Sequence, residues 1–218
     1  ALRRINLREG IYQLGDEVFA GCTALTDVLF PTTLSSIGAK AFKECSSLET
    51  VDLSETQVYT IRNLAFSYCT ALRTVSLPQF DTINDDFYTN AFIGCTSLSE
   101  IILPENCSNL EVENGVLYGK NHYDEWFAMS GLQGLGMKDI SVREGTTRIS
   151  FNAFEYDENL VSVTIPDSVT EIERNAFNGD INLKTVHWGN GLTIIGQSAF
   201  ESCESLEEVQ LPNTALEL

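Results

Sequence analysis

The sequence predicts an α/β solenoid, a stack of short repeats each made of a strand, a loop and a short helical turn. Three observations lead there. Lining the chain up on the dipeptide Ala-Phe gives seven copies of one pattern at a period of about 23 residues. Each anchoring Phe is followed at one fixed distance by a Leu, and each Leu by a pair of apolar residues that alternate with polar ones. With 43% hydrophobic and 20% charged residues, the 218-residue chain also has ample apolar surface to offset the entropy of ordering it.

The anchors are Phe19, Phe42, Phe66, Phe92, Phe154, Phe177 and Phe200, followed by Leu25, Leu48, Leu72, Leu98, Leu160, Leu183 and Leu206. The pair that follows reads Val51 and Leu53 in the second copy, Val75 and Leu77 in the third, and Val163 and Ile165 in the fifth. Such alternation puts the two apolar side chains on one face of an extended segment and their neighbours on the other, which is a short strand. Pro31, Pro78, Pro104, Pro166 and Pro212 follow the strands directly and end them, since proline has no N–H to give to a ladder. The Ala-Phe-x-x-Cys-x-x-Leu stretch has three-residue spacing, which predicts a helical turn or a short 3₁₀ piece.

One repeat cannot bury its Leu, Val and Phe alone; stacked on its neighbours it can. Stacking predicts a parallel sheet on one side, expected to be concave, and short helices on the other. The outward strand positions then form the natural binding surface: Thr50 and Asp52, Thr74 and Ser76, Glu100 and Ile102, Ser162 and Thr164, Thr185 and His187, Glu208 and Gln210. Leu2, Ile5, Leu7, Ile11 and Leu14 already follow the pattern, and no polar capping unit follows Leu211. The expectation is a single repeat domain over 1–218, cut from a longer protein.

Residues 105–136 interrupt the pattern. Val112, the run Gly115-Val116-Leu117-Tyr118 and then Trp126-Phe127 predict a hairpin-like excursion, closed by a turn rich in Gly131, Gly134 and Gly136. A smaller insertion carries Asp85 and Tyr88, and insertions in solenoids are favoured places for binding.

Five of the six cysteines, Cys22, Cys45, Cys69, Cys95 and Cys203, share one repeat position, and Asp157 and Asp180 hold it in the other two copies. A position that alternates between Cys and Asp predicts a small buried side chain facing backbone groups, not half of a disulfide. Cys107 is off the register. No C-x-x-C spacing occurs, which argues against zinc.

With 13 basic and 31 acidic residues the net charge is −18, which repels phosphate backbones and anionic lipid heads, so neither nucleic acid nor a membrane is an expected partner. No stretch is long enough to insert in a membrane. Catalytic motifs are missing too: there is no G-x-S-x-G, H-E-x-x-H or P-loop, and His122 and His187 are far apart. His122, Asp124 and Glu125 lie close in sequence, but a solvated polar loop accounts for them better than a metal site. No cofactor is expected. Trp188 stands where a strand Leu is usual, which favours core packing over a sugar platform.

The unit Ile-Gly-x-x-Ala-Phe-x-x-Cys-x-x-Leu-x-x-Val-x-Leu-Pro resembles the BspA-like leucine-rich repeat, and Glu113-Asn114-Gly115-Val116-Leu117-Tyr118 resembles an interruption common in that family. The resemblance covers nearly the whole chain. It implies a right-handed superhelix and a secreted or surface-attached protein of gut or oral bacteria. The function it implies is non-catalytic and adhesin-like, a protein partner such as a host matrix protein or another microbial surface protein docking on the strand face. A structural spacer and a carbohydrate-binding module are the alternatives. The second of these would require exposed aromatics near carboxylates or amides, and His187 is the only aromatic residue among those outward strand positions.

Overall fold

The structure, a computed structural model, describes residues 1–79 and 90–207. The candidates Asp85, Tyr88, Glu208 and Gln210 lie outside the described residues. The chain divides into two compact units, Ala1–Glu111 and Val112–Leu218.

In the first unit successive coils carry β1 (Arg4–Asn6) and β2 (Gln13–Leu14), β3 (Asp27–Leu29) and β4 (Ser36–Ile37), and β5 (Thr50–Asp52) and β6 (Thr60–Ile61). The later coils carry β7 (Thr74–Ser76) and β8 (Glu100–Ile102). The strand β9 (Leu110–Glu113) straddles the division. In the second unit come β10 (Val116–Lys120), β11 (Trp126–Gly131), β12 (Asp139–Ser141) and β13 (Thr146–Ile149). They are followed by β14 (Ser162–Thr164), β15 (Glu171–Ile172), β16 (Thr185–His187) and β17 (Ile194–Ile195).

Strands one coil apart pair in parallel. In the first unit β1 pairs with β3, β5 with β7 and β7 with β8, while β2, β4 and β6 form a second sheet. In the second unit β12, β14 and β16 form one sheet and β13, β15 and β17 another. A coil therefore has two strand faces, where one strand per repeat was expected. The second strands are mostly two residues long, too short for a period of two to register.

The expected helical turn is not there, and the fold is a β-solenoid, not an α/β one. Among the described residues no α-helix occurs, and the one 3₁₀ piece, Gln133–Leu135, sits in the irregular stretch. The reason lies in the residues two before and two after each anchoring Phe, which are left-handed: Lys40 and Glu44 around Phe42 (φ 55° and 62°), Leu64 and Tyr68 around Phe66 (both 59°), Asn175 and Gly179 around Phe177 (57° and 78°). A left-handed residue every fourth position stops a right-handed helix from propagating. The amides point instead to the next coil: the N–H groups of Lys40, Phe42 and Glu44 donate to the carbonyl oxygens of Asn63, Ala65 and Ser67 at 3.0, 2.7 and 2.8 Å. Tight turns fill the gaps, with Lys43 N–H on the Lys40 oxygen at 3.0 Å and Cys45 N–H on the Phe42 oxygen at 3.1 Å. The three-residue spacing read as helical is the spacing of these turns.

One such position requires glycine for a second reason. A Cβ on Gly179 would come within 2.4 Å of the Tyr156 ring, which lies over it from the preceding coil.

Inside each unit the anchoring rings stack. Phe19, Phe42, Phe66 and Phe92 follow one another with centroids 5.3, 5.2 and 5.7 Å apart, and Phe154, Phe177 and Phe200 at 5.0 Å. Leu25, Leu48, Leu72, Leu160 and Leu183 are buried in the expected ladder. Trp188 packs edge-on against Phe200 at 5.6 Å, as a core residue.

The irregular stretch contains a true hairpin, β10 against β11 antiparallel, whose returning strand β11 also pairs in parallel with β13. The excursion thus serves as a rung of the second unit's sheet. Asn114 and Gly115, with φ 48° and 75°, make the left-handed turn that leads into it. Arg143 ties the hairpin down, its guanidinium 4.5 Å from the Tyr118 ring centre and 4.2 Å from that of Trp126.

Candidate binding face

The outward strand residues stand where the alternation places them. In β5 and β8 the central Val51 and Ile101 are buried while Thr50, Asp52, Glu100 and Ile102 are exposed; in β7, Thr74 and Ser76 are half-exposed on either side of buried Val75. Register aligns Thr50 with Thr74 and Glu100, and Asp52 with Ser76 and Ile102. The Thr74 hydroxyl donates to Glu100 Oε2 at 3.2 Å, so part of this row is already bound to itself. In the second unit Ser162 aligns with Thr185 and Thr164 with His187. Each unit contributes its own face.

Six residues at the same positions were not singled out from the sequence, although the same spacing holds them: Arg4 and Asn6 on β1, Asp27 and Leu29 on β3, and Asp139 and Ser141 on β12. Leu29 is 60% exposed and Ile102 47%, which gives the first unit's acidic face two apolar points. Asp27 faces Arg4 at 3.8 Å, an exposed pair of little energetic weight.

A second set of exposed groups belongs to the other strand face. Tyr12 and Tyr59 precede β2 and β6 and are 64% and 59% exposed. Between them Ser35 donates its N–H to the Tyr12 carbonyl at 2.8 Å and accepts from the Tyr59 N–H at 3.1 Å. The two residues therefore stand on alternate rungs, their backbones about 9.5 Å apart along the sheet. Sequence reading missed them because the strands they precede were not expected.

Beneath the surface, the shared cysteine position does what its alternation with Asp suggested. The thiols of Cys45, Cys69, Cys95 and Cys203 donate to the carbonyl oxygens of Phe19, Phe42, Phe66 and Phe177 at 3.3, 3.2, 3.2 and 3.1 Å. All six cysteines are unpaired. Burial pushes the Cys95 and Cys203 thiols up to about 12, so neither is a nucleophile near neutral pH. Among the described residues no three His, Cys, Asp or Glu side chains are grouped to hold a metal ion. The His122 and Tyr123 rings meet at 3.8 Å, tilted by 43°, in the hairpin turn, and His187 lies on β16.

A family model described as the BspA type leucine rich repeat region matches in 6 copies over residues 1–114 and 130–218, leaving out most of the β10–β11 hairpin. Among solved structures, the chain is similar to a leucine rich cell surface protein from Faecalibacterium prausnitzii A2-165, at 25% identity and a TM-score of 0.76, covering 100% of this chain and 63% of that one. It is also similar in fold to the pneumococcal vaccine antigen PcpA, at 21% identity and a TM-score of 0.81 over 96% of this chain and 51% of that one. A leucine-rich repeat protein from Bacteroides ovatus ATCC 8483 matches at 22% identity and a TM-score of 0.51 over 98% of this chain and 62% of that one. The chain thus spans less than two thirds of the length of each. No curated protein matches it.

Proposed function

The chain belongs to the BspA-type leucine-rich-repeat family, and from that premise we propose that it is a non-catalytic, adhesin-like module of a secreted or surface-attached protein, holding a protein partner on its outward strand residues. The observation that carries this reading is the burial pattern of β3, β5 and β8, in which a buried residue stands between two exposed ones. A surface of this kind is rigid, and its side chains vary without disturbing the ladder beneath.

The charge of −18 steers a basic partner and repels nucleic acid and anionic lipid. The similar Faecalibacterium prausnitzii protein is described as a cell surface protein, which supports the same placement here. Host matrix proteins and other microbial surface proteins are the partner classes to try first. Purified matrix proteins immobilised on a sensor surface test the reading: saturable binding that weakens as salt rises is expected. Retention that is absent for all of them, or indifferent to salt, counts against it and leaves the spacer role.

A second reading has its own observation. Tyr12 and Tyr59, exposed on alternate rungs, form a pair of platforms of the kind on which sugar rings stack. Glycan binding that is abolished by Tyr12→Ala with Tyr59→Ala, and untouched by changes at Asp52 and Glu100, marks a carbohydrate-binding module instead.

A further inference from the structure

In the second unit Asp157 and Asp180 occupy the position that holds a donating thiol in Cys45, Cys69, Cys95 and Cys203. Asp180 is fully buried. Its Oδ1 accepts from the Asp157 N–H at 2.9 Å, and its Oδ2 has no partner. The acceptor that corresponds to it is the Phe154 carbonyl oxygen, which takes the Asp157 N–H at 3.0 Å just as the Phe42 oxygen takes the Cys45 N–H at 3.1 Å and the Cys69 thiol besides. An ionised carboxylate can only accept; a protonated one can donate as the thiol does.

The surroundings favour the neutral form. Asp157 is buried, which favours its neutral form, while the Asn159 N–H it accepts at 2.9 Å pulls the other way. Glu155, also buried, takes the Asn152 amide on Oε2. From the preceding coil comes Gln133, whose amide donates to the Glu155 backbone oxygen at 3.0 Å. From the following coils come Arg174, whose charge acts on Glu155, and the Cys203 thiol beside Asp180. The three carboxyls are not arranged to hold a metal ion.

We propose that Glu155, Asp157 and Asp180 form a proton-held joint, in which protonated Asp180 does the work of the ladder thiol, so that the second unit is firmest in mild acid and loosens as pH rises. Burial pushes Asp180 well above the ordinary carboxyl range against the opposing Asp157 N–H, with the Asp157 and Glu155 charges adding to the rise; burial also raises Asp157 against the hydrogen bonds from Asn159 and Leu160, and raises Glu155 to about 7 against the opposing pull of Arg174. A carboxyl raised in the folded state gives its full stability below the unfolded value, about 4, and loses it as pH climbs through the folded value. This is the reverse of ordinary acid denaturation, in which carboxylates that are ion-paired in the native state are forced to take up protons.

The chain's two tryptophans, Trp126 and Trp188, both lie in the second unit, so their fluorescence reports its unfolding. Urea unfolding between pH 4.5 and 8 should give an unfolding constant that rises with pH, by up to about tenfold per pH unit for each carboxyl still titrating. Asp157→Cys with Asp180→Cys, under reductant, should reduce that slope to the share of Glu155 by restoring the neighbouring coils' chemistry. Should this pair not fold, Asp180→Asn, an amide donor that does not titrate, should flatten it in part. A wild-type constant that is flat or falls over this range overturns the proposal, and so does a slope as steep in the variants as in the wild type, since only the share of Glu155 should remain in the cysteine pair.

Discussion

The two units solve the same packing problem with different chemistry. In the first, the position after each anchoring Phe that reaches back to a carbonyl holds Cys45, Cys69 and Cys95, thiols that donate as neutral groups, with burial raising Cys95 and both the Cys45 contact and burial raising Cys69. In the second, two of the three such positions hold Asp157 and Asp180, donors only when protonated. The rings differ as well. The first unit stacks four, whereas the second stacks three and ends on Gly131, where a Cβ would come within 2.7 Å of the Phe154 ring. The coil geometry asks for a small side chain of the right reach and leaves its chemistry open.

The largest effect should come from what the two units share. Phe177 is fully buried between Phe154 and Phe200, so Phe177→Ala should destabilise the second unit by about 3 to 5 kcal/mol, the usual cost of emptying an aromatic core site. Chemical denaturation followed by tryptophan fluorescence measures it. A change below about 1 kcal/mol would mean the stack carries little of the stability.

Next in size is a transplant of the difference itself. Cys69→Asp puts a carboxyl where the first unit has a buried thiol, and should cost about 1 to 3 kcal/mol at neutral pH and less in mild acid. With no tryptophan in the first unit, loss of amide protection from hydrogen exchange around β5 and β7 is the suitable readout. An equal cost at pH 5 and pH 8 would show that the effect is steric, and that ladder carboxyls do not titrate in this range.

How much of this was legible follows the same divide between pattern and backbone. The period, the Phe stack, the Leu ladder and the role of the shared Cys position could all be read, because each needs a residue type at a fixed spacing. The turns could not, because Lys40, Glu44, Leu64 and Tyr68 are not residues that signal a left-handed backbone, and hydrogen bonds between coils and within the turns hold them there. The second strand face escaped for want of length, and with it Tyr12 and Tyr59. The outward residues Thr50, Asp52, Glu100 and Ile102 were legible as a surface, since alternation places them; nothing in alternation names what touches them.

A smaller effect is expected from redox conditions. Because the ladder cysteines are unpaired and bonded to carbonyls in both units, reductant should leave the melting temperature nearly unchanged. All six thiols should react after unfolding without reductant, whereas in the native state the buried Cys45, Cys69 and Cys95 should react slowly. A bridge between two ladder cysteines in mass spectrometry would contradict the geometry of both units.

The smallest effect on stability, and the one that bears on function, should come from the faces. Asp52 and Glu100 are exposed and bond only within their own surroundings, Asp52 to the Ser54 N–H and Glu100 to Thr74. Asp52→Lys with Glu100→Lys should therefore leave the melting temperature nearly unchanged while slowing association with a basic protein partner, most strongly at low salt. The second unit's face carries Ser162, Thr164, Thr185 and His187, hydroxyls and an imidazole beside the single carboxylate of Asp139 among the described strand positions, so Thr164→Lys with Thr185→Lys should slow the same partner much less. That contrast assigns the contact to the first unit. Equal losses from both pairs would mean that net charge alone steers the partner, and no loss from either would move the contact away from these strand faces.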